Sequence, residues 1–185
     1  MSSAGSVDGN DRLRLFLALQ LPDDVVATLT EWQSRELGGT GQRLVPAENL
    51  HVTLAFLGSR PAGELPTILR VLEEAARDAA RPAFEVVRWR ERRAAGMLEL
   101  RDRTGTTAAR LAGRVQSELV ALHLYKLENR DWLPHLTVLR YRKPPRLHPE
   151  LPELGFVPSG AAAFLSRLHP SGARYEVLES FPLGG

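Results

Sequence analysis

Asn49-Leu50-His51-Val52-Thr53-Leu54-Ala55-Phe56-Leu57-Gly58 and, in the second half of the chain, Pro134-His135-Leu136-Thr137-Val138-Leu139-Arg140 render one pattern twice. In each, a His and a Thr stand two apart inside an apolar, β-branched run that reads as a strand. Side chains alternate along a strand, so His51 and Thr53 share one face, as do His135 and Thr137. Each copy presents an imidazole beside a hydroxyl. One such strand is most simply a His paired with backbone or water; two copies, both in strands, point to a shared site.

Working outward from the first copy, Arg12 to Gln20 alternates Leu13, Leu15, Leu17 and Leu19 with Arg14, Phe16 and Ala18, the period of a strand with one buried face. Pro22 with Asp23 and Asp24 opens a helix carrying Val25, Leu29 and Trp32 toward the core, and Gly38-Gly39 ends it. Gln42 to Val45 reads as a short strand, Pro46 to Asn49 as a turn, and Gly58 to Pro61 as the close of the first His-Thr strand. A helix follows over Leu65 to Ala80 with the stripe Leu65, Leu69, Leu72 and Ala76. Two strands come next, Ala83 to Arg90 and Met97 to Arg101. Thr106 or Thr107 caps a third helix with the stripe Leu111, Val115, Leu119 and Leu122, and His123 at its end reads as structural, favoured by the helix dipole. Beyond the second His-Thr strand, Lys143 to Pro158 is a Pro-rich loop, and strands near Ala161 to Leu168 and Arg174 to Phe181 close the chain. A strand, helix, strand series therefore occurs twice, which suggests two similar lobes facing each other across a cleft lined by the four motif side chains. Residues 1–11 read as a disordered tail and 12–183 as one bilobal domain.

Composition narrows the chemistry. Hydrophobic residues at 43% and charged residues at 25% place the chain among globular proteins, with no run near the ~20 apolar residues of a membrane span. Absence of Cys excludes thiolate nucleophiles, disulfides and Cys-ligated zinc, and makes the cytoplasm the expected compartment. The cations are almost all Arg. They cluster at Arg88, Arg90, Arg92 and Arg93, and again at Arg140, Arg142, Lys143 and Arg146 just after the second motif, where a guanidinium fork matches phosphate oxygens. Two histidines near neutral pKa can act as acid and base on one substrate, while two hydroxyls and an Arg hold an anionic group. Phosphoryl oxygens suit those donors, so the residues point to opening of a phosphodiester. No phosphate-binding Gly-rich loop or nucleophile elbow competes, and neither motif His has the further ligands of a metal site, so no metal and no cofactor is expected.

Arg14-Leu15-Phe16-Leu17-Ala18-Leu19, Glu48 to Gly58, Pro134 to Arg140 and the closing Tyr175 to Leu183 together resemble the two-histidine phosphoesterases, and within them the bacterial RNA 2′,3′-cyclic phosphodiesterases, formerly called 2′-5′ RNA ligases. The resemblance implies an α+β fold, bilobal and pseudo-twofold, with antiparallel sheets and helices around a central cleft. It implies metal-free hydrolysis of an RNA 2′,3′-cyclic phosphate end to a 2′-phosphate; a monomer is expected, although the sequence leaves the oligomeric state open. His51 matches the general acid for the 3′ leaving oxygen, His135 the general base for water, and Thr53 and Thr137 the phosphate-holding hydroxyls. Arg140 matches a phosphate-side Arg, yet its odd offset from His135 puts it on the opposite strand face unless the strand bulges. The middle segment, Trp89 to Gly96, departs from the aromatic-Gly pattern common in the family. Phe56 and Trp132 are then the aromatics available to stack a base, packing being the competing role. Two other readings use the same cleft: an RNA- or nucleotide-binding module without turnover, and ligation, in which a 5′-hydroxyl RNA replaces water.

Overall fold

The structure, a computed structural model, describes residues 11–184. The expected tail therefore lies outside it except for Asp11, whose carbonyl accepts the Ala62 N–H at 2.7 Å. Two antiparallel sheets form the scaffold. The first has the order β3-β1-β8-β9, from β1 (Arg12–Gln20), β3 (His51–Pro61), β8 (Gly160–Arg167) and β9 (Arg174–Phe181). The second has the order β2-β6-β5-β4-β7, from β2 (Arg43–Leu44), β4 (Phe84–Glu91), β5 (Ala95–Asp102), β6 (His135–Arg140) and β7 (Gly155–Phe156). With the helices α1 (Asp23–Glu36), α2 (Leu65–Asp78) and α3 (Thr107–Ala121), this is the expected α+β architecture.

The alternation in β1 does what its period dictates. Leu15, Leu17 and Leu19 are fully buried in the main core, whereas Phe16 and Ala18 face the other way and form a small cluster with Ala162 and Phe164. Each sheet thus buries one face and turns the other toward the cleft.

The two lobes are not the two halves of the chain. The last two strands return to the first sheet, and the short β2 joins the second. The helices cross as well. α1 follows β1, yet its Gln33 bonds Val138 O of β6 and its Trp32 indole approaches Trp89 of β4 at 6.5 Å. α3 follows β5 but packs on β3 and α2. One continuous apolar cluster runs through both lobes.

Several local expectations change. α2 buries Ile68, Val71, Leu72, Ala75 and Ala76, a face rotated from the expected stripe, with Leu65 and Leu69 at its half-buried edge. Thr106 makes no side-chain cap; Asp102 Oδ2 accepts the Ala108 N–H at 2.7 Å and supplies the anionic cap instead. Leu122 lies past the helix and is exposed, and Leu124 takes its place in the core. His123 owes its position to backbone shape, since it adopts φ 59° in the left-handed region that stops the helix. β3 runs on through Pro61 rather than closing at Gly58, and β7 interrupts the Pro-rich loop. Gly96 is required by packing: a Cβ there would run into the Trp89 indole.

Candidate active site

Both motif strands carry the same irregularity. Thr53 pairs with Ala18 and Ala55 with Leu17, so Leu54 is an extra residue in β3. Thr137 pairs with Met97 and Leu139 with Gly96, so Val138 is the extra residue in β6. Each bulge falls directly after the motif Thr and sends two consecutive residues into the core, Leu54 with Ala55 and Val138 with Leu139. The alternation is thereby shifted by one. Arg140 and Phe56, which stand at the same offset from their histidines, are both brought to the cleft face. The unfavourable phase of Arg140 is thus removed by a bulge, and Phe56 is 45% exposed beside the site rather than packed away.

The histidines are held alike. His51 Nδ1–H donates to Asn49 O at 2.8 Å, and His135 Nδ1–H donates to Leu133 O at 2.9 Å. A carbonyl only accepts, so in each ring the other nitrogen, Nε2, is left to work on a ligand. Nε2 of His51 sits 3.1 Å from Thr53 Oγ1, whose hydroxyl donates to it when the ring is neutral.

The surroundings differ. The His51 ring lies 4.8 Å from Phe16, 5.9 Å from Phe164 and 5.5 Å from Tyr175, centroid to centroid. Burial in this aromatic nest pushes its pKa down to about 4; the Asn49 hydrogen bond opposes the shift, and the nearby His135 and Arg140 add to it. His51 is therefore neutral in the free protein at pH 7. Between pH 6.5 and 4 the unfolded chain binds this proton more readily than the folded one, so acidification through that window destabilises the fold, by about 3 kcal/mol at most. Urea unfolding at pH 7 and pH 4.5 should show that His51→Gln loses less stability on acidification than the parent.

Two depressions meet at Phe56. The first, of about 890 Å³, includes His51, Thr137 and Arg140. Arg14, Arg43, Arg142 and Lys143 also line it, with no carboxylate among its lining residues, as suits a polyanion. The second, of about 660 Å³, includes His135 and Thr53 with Trp132, Tyr125 and Gln116. All six expected site residues thus border the two connected hollows. Trp132 is tied down, its Nε1–H donating to Thr53 O at 3.0 Å. Of the other Arg cluster, Arg90 is paired with Glu99, while Arg92 and Arg93 line the second hollow.

Sequence reasoning missed Arg14, Arg43 and the aromatic floor. Phe16 stacks on Phe164 at 4.8 Å, with the Tyr175 edge against it and the Arg14 guanidinium 4.9 Å over Phe56. One signal was present: Phe16 is a large apolar side chain on the Arg14 phase of β1, away from the leucines. Arg43 and Tyr175 had none, because nothing local says that β2 and β9 end at this cleft. Among the described residues no group of three or more His, Asp or Glu side chains is placed to hold a metal ion.

The chain is similar to known proteins in sequence and in fold. Residues 19–90 match the family model described as LigT like Phosphoesterase. The RNA 2′,3′-cyclic phosphodiesterase of Thermus thermophilus is 33% identical over 94% of this chain and 91% of its own length. The crystal structure of TT0787 from the same organism superposes with a TM-score of 0.77 at 31% identity, covering 92% of this chain and 98% of that one. E. coli LigT complexed with 3′-AMP shares the fold, with a TM-score of 0.75 at 21% identity over 95% of this chain and all of that one.

Proposed function

The chain belongs to the RNA 2′,3′-cyclic phosphodiesterases, the LigT-like phosphoesterases, and on that footing we propose that it hydrolyses 2′,3′-cyclic phosphate ends of RNA to 2′-phosphates, without a metal, by acid–base catalysis between its two motif histidines. The observation that carries this reading is the matched tethering of His51 and His135. Each Nδ1–H is committed to a carbonyl two residues back, which frees each Nε2 for the cleft.

In this reading His135 Nε2 takes a proton from water as the water oxygen attacks phosphorus. The P–O3′ bond breaks, and His51 Nε2–H delivers a proton to O3′. Thr53, Thr137 and Arg140 hold the non-bridging oxygens, and Phe56 stacks the terminal base. His51 needs a proton that it lacks in the free protein. The anionic phosphodiester supplies the opposite charge that burial and Arg140 withhold, so the ring is loaded as the substrate arrives. A single chain contributes both histidines, so a monomer suffices. No helix among the described residues is long and apolar enough to cross a membrane. A chain without Cys has no thiol chemistry to manage in a reducing compartment, which supports the cytoplasm as its place of action.

Product analysis on an oligonucleotide ending in a 2′,3′-cyclic phosphate tests this reading. A 2′-phosphate should accumulate, with chelator present or absent. Tight binding without product would make the protein a binding module instead. The size of the hollow at His135 favours one companion reaction, since about 660 Å³ admits far more than a water molecule. A 5′-hydroxyl RNA seated there would turn the same proton transfers into ligation, visible as a 2′-5′ linked product when such a strand is added.

A further inference from the structure

A bulge takes a residue off the ladder and leaves its backbone polar groups to be satisfied elsewhere. Here both bulges are satisfied in the same way. Gln33 Nε2 of α1 donates to Val138 O at 2.7 Å, and Gln116 Nε2 of α3 donates to Leu54 O at 2.8 Å. The acceptors are the two extra residues, one in each motif strand. Gln33 is 2% exposed, and it gives its second N–H to Val45 O at 3.0 Å, while the Val45 N–H also reaches Val138 O at 3.1 Å. Gln116 is half-buried at the edge of the second hollow. The two helices follow different strands and pack on different sheets, yet each offers a carboxamide to the carbonyl one residue beyond a motif Thr.

We propose that Gln33 and Gln116 are paired positioning residues: each holds closed the bulge that turns Arg140, or Phe56, into the cleft. The proposal rests on the reading of the cleft as a phosphodiesterase site. Neither glutamine is assigned a role in proton transfer; each acts through the residue that its bulge delivers. A bulge is the condition for a side chain at this offset to face the same way as the motif His and Thr. Loss of the amide takes from Leu54 O its side-chain donor, leaves Val138 O with the Val45 N–H alone, and favours slippage back to regular pairing, in which Arg140 or Phe56 turns away.

The test is a pair of double-mutant cycles on a cyclic-phosphate-ended oligonucleotide. Gln33→Met, in the parent and in Arg140→Ala, and Gln116→Met, in the parent and in Phe56→Ala, are compared by kcat and KM. Gln33→Met should lower kcat/KM about tenfold in the parent and add nothing once Arg140 is gone. Gln116→Met should act mainly on KM, by a similar factor, and add nothing in Phe56→Ala; Gln116→Lys, which keeps an N–H donor, should recover most of the loss. Equal losses in both backgrounds would mean that the amides merely fasten helix to sheet, and would overturn the proposal. If Gln33→Met does not fold, the exposed-edge Gln116 cycle decides alone. Should Arg140→Ala and Phe56→Ala both retain full activity, the reading of the cleft itself falls; impaired single variants without coupling remove only this inference.

Discussion

His135→Ala should lower kcat on a cyclic phosphate end by about 10²- to 10⁴-fold, and His51→Ala by a similar factor, with the fold intact in both. Intactness is expected because neither ring is part of the main core: His135 loses one hydrogen bond at a strand start, and His51 loses two together with its packing on the small aromatic cluster at the cleft. Similar losses do not by themselves separate acid from base, since the two histidines are held almost symmetrically. The leaving group separates them. An alkoxide such as O3′ needs a proton as it departs, whereas a nitrophenolate does not. On a nitrophenyl phosphodiester that binds the same cleft, His51→Ala should recover most of its lost rate and His135→Ala should not. Recovery by His135→Ala instead would exchange the two roles, and full activity of either variant on the cyclic end would remove that His from the mechanism. The environment of His51 adds a second expectation. With its pKa near 4 in the free protein, it depends on the substrate's charge to gain its proton, so a neutral phosphotriester analogue should not be processed.

Arg140→Ala should cost about 10²- to 10³-fold in kcat/KM, the scale seen when one preorganised donor to a developing anion is removed. Arg140→Lys should restore only part, because an ammonium offers a point charge in place of a planar fork. The bulge at Val138 puts Arg140 on the face of Thr137 and among the lining residues of the larger hollow. Arg140 is also one of the charges that lower the His51 pKa, so its removal should raise that pKa. An NMR titration of the His51 ring in Arg140→Ala checks this directly. An unmoved His51 titration together with unchanged kcat/KM would place Arg140 outside the site.

Much of the molecule is legible along the chain because its elements are strongly periodic. The alternation from Leu13 to Leu19 buries the expected leucines, and Trp32 lies in the core at 2% exposure. The strand positions of His51, Thr53, His135 and Thr137 follow from a period of two, and their chemistry follows from the residue types. Where periodicity weakens, so does the reading. α2 turned its buried face toward Ile68 and Ala75 because strands β8 and β9 of the first sheet and the neighbouring α3, rather than the leucines alone, settle which stripe is covered. Asp102 displaced Thr106 as the cap because it reaches the helix from the preceding strand, a contact that no local capping rule anticipates.

Local sequence was enough for the two His-Thr strands, the helices between them and the donors suited to a phosphodiester, since these depend on side-chain chemistry and on pattern within a single element. Contacts between elements settled the remainder. The return of β8 and β9 to the first sheet, the crossing of α1 to the second, the aromatic nest that lowers the His51 pKa, and the bulges at Leu54 and Val138 all join residues far apart in the chain. A bulge in particular has no signature in its own strand here. Its carbonyl finds donors only from other elements, here the Gln33 carboxamide and the Val45 N–H, and Gln33 lies more than half the chain away from Val138.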